Sequence, residues 1–361
     1  MRTSPKRPML PNVIPTINPL TAGKLPLLTE PALLVVSLVV TAAVLSLLDI
    51  GDITAMIIAG ALVFLLASFV LSASVEGSRH AKDRLAAHVV TGFFVLALAP
   101  LVSLAWGTLV SGLERFDPQF FTYSMRNVIG DGGGAVHAIW GTLIITGMAT
   151  LISVPIGLMT AIYLVEYGAR HKLASAIRFF VDVMTGIPSI VAGLFAYTLF
   201  AMIFGPGTKV GVAGAVALSV LMIPTVVRST EEMLRLVPNE LREASYALGV
   251  AKWRTIVRVV LPTSLAGIIT GVVLAIARII GETAPLLVTA GMNPSLNTNP
   301  FDAPMATLPV FVYYQYVTPG IPQDPYHARA WAGALTLILI VMLLNLLGRL
   351  IAWKFAPKPG R

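Results

Sequence analysis

The sequence contains no cysteine and few charged residues. The absence of cysteine from all 361 positions excludes disulfide bonds, thiolate metal sites and thiol catalysis. Only 12% of the residues are charged, whereas a soluble domain typically has about a quarter. Hydrophobic residues make up 56% of the chain, and the mean hydropathy is +0.84. This balance indicates an integral membrane protein, which we expect to be all-α.

The sequence also lacks the residues that several kinds of chemistry require. The glycine cluster at 130–134 is not followed by Gly-Lys-Ser/Thr, and a nucleotide-binding P-loop occurs nowhere in the chain. His137 and His171 have no metal-ligand companions, and no Ser-His-Asp arrangement or pair of catalytic carboxylates is visible. We therefore predict a chain that is not an enzyme and binds no cofactor. Any ATP that drives it must be bound and hydrolysed by another polypeptide.

The net charge is +8 and the isoelectric point is near 9.8. In a soluble protein such a charge would suggest nucleic acid as a partner. In a membrane protein, basic residues collect in the cytoplasmic loops during insertion. We therefore expect membrane lipid, and no nucleic acid, around this chain.

Eight apolar runs are long enough to cross roughly 30 Å of hydrocarbon, which takes about twenty residues. They lie at about 31–49, 54–73, 87–110, 136–165, 179–204, 211–227, 264–290 and 330–353. The first two are joined by the short turn Asp49–Asp52, which predicts a tight helical hairpin. With the N-terminus inside, 20 of the 25 Lys and Arg residues fall on the cytoplasmic side and four outside, and Arg278 falls within a span. The asymmetry predicts a multi-pass protein of the plasma (inner) membrane with both termini cytoplasmic.

Two long outer segments, 111–135 and 291–329, are rich in turn-forming and aromatic residues. One interpretation is an aromatic belt at the membrane interface joined to flexible turns. The other is a docking surface for an external partner. The residue pattern leaves both open.

A polar, helix-forming block stands among the apolar runs, within the loop 229–262. Asn239 is a good N-cap, and Gly249 suits the left-handed conformation that ends a helix. A second amphipathic segment begins at Lys252, and Pro262 is where we expect the chain to turn into the next span. Such a helix–turn–helix is either an ordinary interfacial helix or a surface on which a partner pushes. The residues assigned to coupling are Glu243, Ala244, Ser245, Gly249, Leu261 and Pro262.

Arg278 and Glu282 lie within an apolar run and are four residues apart, so on a helix they share one face and are able to pair. A charged side chain at the bilayer centre costs at least about 2.5–3.5 kcal/mol and usually faces a cavity or a partner. Because Pro285 frees the Gly281 carbonyl, we expect the helix to bend here. One interpretation is a basic point on an anion pathway, with Thr283 beside it. The other is a static ion pair that fixes helix packing.

A second candidate for the pathway is the stretch Gly186–Ser189. It has the composition of a broken helix whose free amides, with Ser189, meet an anion. A simple proline kink explains the same residues. Nearby, Asp182 is expected to pair with Arg178 at the membrane interface.

Several stretches together resemble the phosphate-specific permeases of type I ABC importers, of the PstA type. They are Gly186–Phe195, the loop spacing Glu-Ala-x4-Gly-x9-Val-x-Leu-Pro, Ala277–Leu287, and Met305–Pro309 ahead of Tyr313. The loop spacing matches the EAA loop, which docks on a separate ATPase, although Ser245 stands where the family usually has a second alanine. The sequence Gly-Glu-Thr-Ala-Pro-Leu at 281–286 favours this subunit over its sister permease.

The resemblance implies a MetI-like permease fold of six spans over residues 86–361. It also implies a sister permease of the PstC type, an ATPase dimer of the PstB type on the cytoplasmic face, and a phosphate-binding protein of the PstS type outside. Residues 1–85, a basic arm and an extra hairpin that bring the spans to about eight, are additional to the family pattern. The alternatives left open are another oxyanion, such as molybdate or sulfate, and an ion-driven transporter that works without an ATPase.

Overall fold

The computed structural model describes residues 25–26, 28–49, 51–168 and 171–355, and all the regular structure in these ranges is helical. The basic arm predicted before residue 25 lies outside the described residues. The chain divides after Leu104 into two compact units. Each unit is described separately below.

The first unit contains a tight helical hairpin, as predicted. It comprises α1 (Thr29–Leu47), α2 (Ile53–Val75) and the beginning of α3 (Ser78–Leu113), which continues into the second unit. The α2 helix begins after Asp52, whose side chain accepts a 2.9 Å hydrogen bond from the Thr54 N–H. Small side chains are buried where α1 meets α2, and a Cβ at Gly60 would lie 2.7 Å from Leu38 Cδ2. Close approach at small residues is how helices associate in lipid, because lipid provides no hydrophobic force between them.

The carboxylate of Glu76, whose side chain is 6% exposed, closes one end of this hairpin. Glu76 accepts hydrogen bonds from the Leu25 N–H at 2.7 Å and from Arg84 Nη2 at 2.8 Å. Arg84 also donates through Nη1 to Glu30 at 2.5 Å. The bond from the Leu25 N–H, with Ser72 and Arg84, lowers the pKa of Glu76 against the opposing effect of burial. Glu76 therefore stays ionised at neutral pH and ties together the ends of three helices.

The second unit has eleven helices within the described residues, and two of them are extended by π-helical turns. In chain order they are α4 (Pro118–Thr122), α5 (Val136–Ile162) with the π turn Tyr163–Tyr167, α6 (Lys172–Thr185), α7 (Ser189–Phe204), α8 (Gly211–Arg235), α9 (Asn239–Ala247), α10 (Lys252–Thr255) with the π turn Ile256–Val260, α11 (Leu261–Ile279), α12 (Ala284–Thr289), α13 (Leu308–Val317) and α14 (Asp324–Phe355).

The core of the second unit forms where α5 packs along α8. Gly157 allows the two helices to touch, since a Cβ there would lie 2.6 Å from Val226 Cγ1. Buried apolar side chains from α5, α8, α11, α12 and the segment before α13 fill the centre, including Ile145, Leu218, Met222, Ile279, Leu286 and Met305. The segments after α11 therefore belong to the core and do not lie over it as loops.

Seven described helices are long and apolar enough to cross a membrane, and the bent pair α6–α7 brings the total to eight if it forms one span. The axes of α6 and α7 differ by 108°. The region predicted as one span at 179–204 is therefore not one straight helix, because Gly186 ends one helix and Pro188, which has no N–H, precedes the next. The span predicted at 264–290 is also wrong in its bounds. The helix runs from Lys252 to Ile279.

The outer segment 291–329 does not consist of flexible turns. Met305, Leu308 and Phe311 are fully buried in it. Arg329, in the second turn of α14, is also fully buried and donates from Nη1 to the carbonyls of Gly130 and Gly132, at 2.7 and 3.0 Å. Its Nε donates to Gln315 at 3.0 Å, and its guanidinium lies over the Tyr326 ring. One buried arginine thus holds the glycine cluster against α13 and α14.

Candidate functional site: a coupling loop and a charged break

The first helix of the coupling loop, α9, begins differently from the prediction. Pro238 occupies the N-cap position, and Asn239 is the first residue of the helix and makes no capping hydrogen bond. The expected cap is therefore wrong, because Pro238 already has the extended ψ that precedes a helix. The Asn239 side chain instead accepts a 3.4 Å hydrogen bond from Arg242.

Gly249 ends α9 as predicted. Its φ is +74°, a left-handed conformation that glycine adopts without strain. The Gly249 N–H donates to the Tyr246 carbonyl at 2.9 Å and the Val250 N–H to the Ser245 carbonyl at 3.2 Å. This pair of bonds is a Schellman motif, which satisfies the last carbonyls of the helix and reverses the chain toward α10.

Ser245 lies inside the loop and not on its exposed surface. Its hydroxyl is hydrogen-bonded to Thr255 Oγ1 at 2.8 Å, and both residues are buried. The bond joins the two arms of the loop, α9 and α10. By contrast, Glu243 and Ala244 are exposed. Large apolar side chains on the same loop are exposed as well, with Leu248 83% and Trp253 59% accessible.

The second arm of the loop and the following span are one continuous helix from Lys252 to Ile279. Leu261 and Pro262 form the first turn of α11, so the turn expected at Pro262 is absent. Pro262 has no N–H to give to the carbonyl four residues earlier, and the wider π turn Ile256–Val260 lies at this position. The helix therefore passes Pro262 without breaking.

Arg242 joins the loop to the C-terminal ends of two other helices. Its Nε and Nη2 donate to Glu166 Oε1 at 3.1 and 2.9 Å. It also donates to the carbonyl of Leu234, in the last turn of α8, at 2.9 Å and to that of Val237, just after α8, at 2.6 Å. Glu166 belongs to the π turn that extends α5. The sequence offers no signal for this pair, because its members are 76 positions apart.

A second set of charges lies beside the first. Glu231 accepts hydrogen bonds from Arg178 at 3.3 Å and from Arg235 at 2.5 Å. Asp182 is paired with Arg228. The predicted pair between Arg178 and Asp182 is therefore wrong, since α6 packs against α8 and its charges find partners on that helix. These pairs fix the amphipathic helix α6 to the C-terminal part of α8.

The charged break differs from the expected helical ion pair. Arg278 is in the last turn of α11, whereas Glu282 lies in the connection to α12, where its N–H donates to the Ile279 carbonyl at 3.1 Å. Within the described residues, neither side chain makes an ion pair or a hydrogen bond. The expected pair does not form because the helix ends at Ile279, so a four-residue spacing no longer places both groups on one face. Arg278 is exposed, and Glu282 and Thr283 are half-buried.

Ser189 is the first residue of α7, immediately after the 108° bend, which is far larger than a simple proline kink. One turn later, Gly193 packs against Pro285, at the start of α12. The helices that follow the two breaks, α7 after α6 and α12 after α11, therefore touch each other. The structure brings these segments together, although no hydrogen bond or ion pair joins Ser189 to Arg278 or Glu282.

Comparison with known proteins identifies the class. Residues 153–358 match the family model described as "Binding-protein-dependent transport system inner membrane component". The fold is similar to a chain of the methionine ABC transporter MetNI in an inward-facing conformation, with a TM-score of 0.51, 22% identity, and coverage of 62% of this chain and 96% of that one. A chain of a bacterial alginate ABC transporter gives a TM-score of 0.56 at 13% identity, covering 77% and 97%. The fold is thus the MetI-like permease fold of ABC importers.

Relatives of known name narrow the identification. "Phosphate transport system permease protein PstA 1" of Mycobacterium tuberculosis (strain CDC 1551 / Oshkosh) is 45% identical over 276 residues, covering 76% of this chain and 89% of the relative. PstA of Mycobacterium leprae is 46% identical, covering 75% and 88%, and PstA of Yersinia pestis is 41% identical, covering 76% and 90%. The chain belongs to the inner membrane components of binding-protein-dependent transport systems and, among them, to the PstA permease family.

Proposed function

We propose that this chain forms half of the path by which inorganic phosphate crosses the inner membrane, and that it works with three kinds of partner. A sister permease of the PstC type completes the path, a PstB-type ATPase dimer supplies the energy, and a PstS-type binding protein delivers the anion. The names of the relatives support the substrate. The class of the fold supports the division of labour, in which this chain hydrolyses no ATP.

The observation that carries the proposal is the continuous helix Lys252–Ile279. One of its ends forms an arm of the coupling loop, and the other carries Arg278 beside the break that contains Glu282 and Thr283. At 1.5 Å per residue, a helix of 28 residues is about 42 Å long. A rigid element of this length links a cytoplasmic push to the charged break without any intermediate.

The ATPase contacts the exposed face of the loop. Leu248 and Trp253 supply apolar area, and Glu243 and Ala244 on the same loop are exposed as well. Exposed apolar groups of this size on a polar loop are typical of a surface that a partner covers. Ser245, Gly249 and the helix through Leu261 and Pro262 act differently, because they give the loop its shape and stiffness.

Phosphate meets the charged break through Arg278. A guanidinium matches the geometry of phosphate oxygens, and this one is accessible and has no partner among the described residues. Glu282 lies four residues along the chain from Arg278, and in this proposal its carboxyl group limits how tightly an anion is held. Ser189 and Thr283 contribute hydroxyl donors from the two neighbouring breaks.

Both termini lie in the cytoplasm in this proposal. The distribution of Lys and Arg favours that orientation, and it requires an even number of spans. The bent pair α6–α7 then counts as one crossing, giving eight. The basic coupling loop and the ion pairs around Glu231 and Glu166 all fall on the cytoplasmic side.

The test is uptake by the reconstituted complex. The chain, its sister permease and its ATPase are placed in vesicles with the binding protein outside, and labelled phosphate is followed with and without internal ATP. We expect uptake only with ATP. We also expect unlabelled phosphate to inhibit the uptake of labelled phosphate more strongly than sulfate or molybdate does. Equal uptake without ATP would establish an ion-driven transporter. Preference for sulfate or molybdate would establish another oxyanion as the substrate.

A further inference from the structure

We propose that Arg242 is a positioning residue that ties the coupling loop to α5 through Glu166. The inference rests on the function proposed above, which assigns the loop to the ATPase. Its new element is the third helix. The helices α8 and α11 are joined to the loop by the chain itself and move with it. Displacement of the loop also moves α5, because Arg242 holds Glu166, 76 positions earlier in the chain.

The Arg242–Glu166 pair is a largely buried ion pair with a fixed geometry. The side chains are 12% and 5% exposed, and two donors of the guanidinium reach the same carboxylate oxygen. Arg242 has further bonds to the carbonyls of Leu234 and Val237, so its planar group is held on several sides. A group with this many directed contacts has one orientation, and it transmits displacement in both directions.

Lys252 makes a second tie to the same end of α5. Its ammonium donates to the Glu166 carbonyl and lies 4.8 Å from the centre of the Tyr167 ring. Arg242 is on the first arm of the loop and Lys252 on the second. The end of α5 is therefore held from both arms, and a rotation of the loop carries it along.

The link between the loop and α5 is polar. A cavity of about 300 Å³ lies here, lined among others by Val165, Asn239 and Tyr246. Close-packed apolar contact does not fill this space, so the tie between α9 and α5 depends on Arg242 and not on general packing. The other basic residues of the loop, Arg254 and Arg258, are exposed.

The Arg242–Glu166 pair connects the coupling loop, through α5, to the outer segment 291–329. The α5 helix packs along α8 throughout the core, and at its outer end Gly141 touches the segment before α13. A Cβ at Gly141 would lie 1.9 Å from the Ala306 carbonyl oxygen, so the two backbones are in direct contact. Movement of Glu166 at the inner end therefore reaches Ala306 through one helix.

The experiment compares variants in the reconstituted complex and measures both ATP hydrolysis and phosphate uptake. Arg242→Gln and Glu166→Gln are each expected to lower the phosphate moved per ATP by about five- to tenfold, within the usual range for a coupling interaction. The double variant is expected to be no worse than either single variant, because both remove the same link. Arg242→Lys, which keeps the charge, is expected to recover part of the ratio. Arg349→Gln removes an exposed charge elsewhere and is the matched control.

The outcomes separate the inference from the function on which it rests. If the unmodified complex takes up phosphate only with ATP, and the Arg242 and Glu166 variants keep the same ratio, the inference is overturned and the proposed function stands. Losses that add in the double variant would also overturn it, since they would show two independent effects. If the unmodified complex itself needs no ATP, the proposed function fails. A fluorescence thermal-melting curve of each variant excludes loss of the folded complex.

Discussion

Gly193 packs backbone to backbone against Pro285, and a Cβ at Gly193 would lie 2.6 Å from the Pro285 Cα. The contact joins α7, which follows the 108° bend, to α12, which follows the charged break. Only a residue without a side chain fits between these helices. The relative placement of the two breaks therefore depends on the absence of a Cβ at Gly193.

Gly193→Ala is expected to destabilise the permease by about 1–3 kcal/mol, the usual effect of overpacking a core. The clash is with backbone, which cannot move aside as a side chain does. Thermal unfolding in detergent and phosphate uptake by the same preparation measure the effect.

Gly147→Ala is the matched control, because it is also a glycine within a helix but has nothing within 4 Å of the added Cβ. It should leave uptake unchanged and raise stability slightly, as helix propensity predicts. Equal behaviour of the two variants would show that the contact at Gly193 has no consequence.

Gly249→Ala is expected to weaken the coupling loop without a steric clash. No atom lies within 4 Å of the added Cβ, so the whole effect comes from the +74° φ, which costs an L-residue about 1–2 kcal/mol. Gly249→Asn should cost less, because asparagine tolerates the left-handed region. Amide hydrogen exchange over residues 245–250, with the yield of co-purified ATPase, distinguishes the two. Faster exchange in the asparagine variant than in the alanine variant would contradict the argument.

Arg329→Met is expected to release the glycine cluster at 130–134. Each hydrogen bond to a charged donor contributes about 1.5–3 kcal/mol, and Arg329 makes two to this cluster. Limited proteolysis from the outer face should cut the segment 126–134 at least about tenfold faster, since local opening tracks lost contacts. Arg126→Met, at an exposed arginine beside the cluster, should change little. Unchanged cleavage in the Arg329 variant would show that other contacts hold the loop.

Features with a local signal were predicted from the sequence. The hairpin of α1 and α2 follows from two apolar runs and the turn signal at Asp49–Asp52, and Gly249 follows from the glycine at the end of an amphipathic block. The family and the two helical arms around Gly249 were predicted for the same reason, because they rest on residues close together in the chain.

Features decided by tertiary contacts were not predicted. The run 264–290 is mostly apolar on both sides of Ile279, so hydropathy cannot show that the helix ends there. It therefore cannot show that Arg278 and Glu282 do not lie on one helix. Arg329 is one of the four basic residues that the charge count assigns to the outer segments, although it is fully buried. The pair Arg242–Glu166 has no sequence pattern, since both residues are ordinary members of loops until the fold brings them within 2.9 Å.

The central claim is that Arg278, at the far end of the helix that begins in the coupling loop, contacts the transported anion. Phosphate uptake per ATP by Arg278→Gln, measured against Arg349→Gln in the same vesicles, tests it most directly. The account predicts at least about a tenfold loss for Arg278→Gln, equivalent to about 1.4 kcal/mol, with ATP hydrolysis continuing and with partial recovery in Arg278→Lys. Unchanged uptake and unchanged preference for phosphate over sulfate in Arg278→Gln would contradict it.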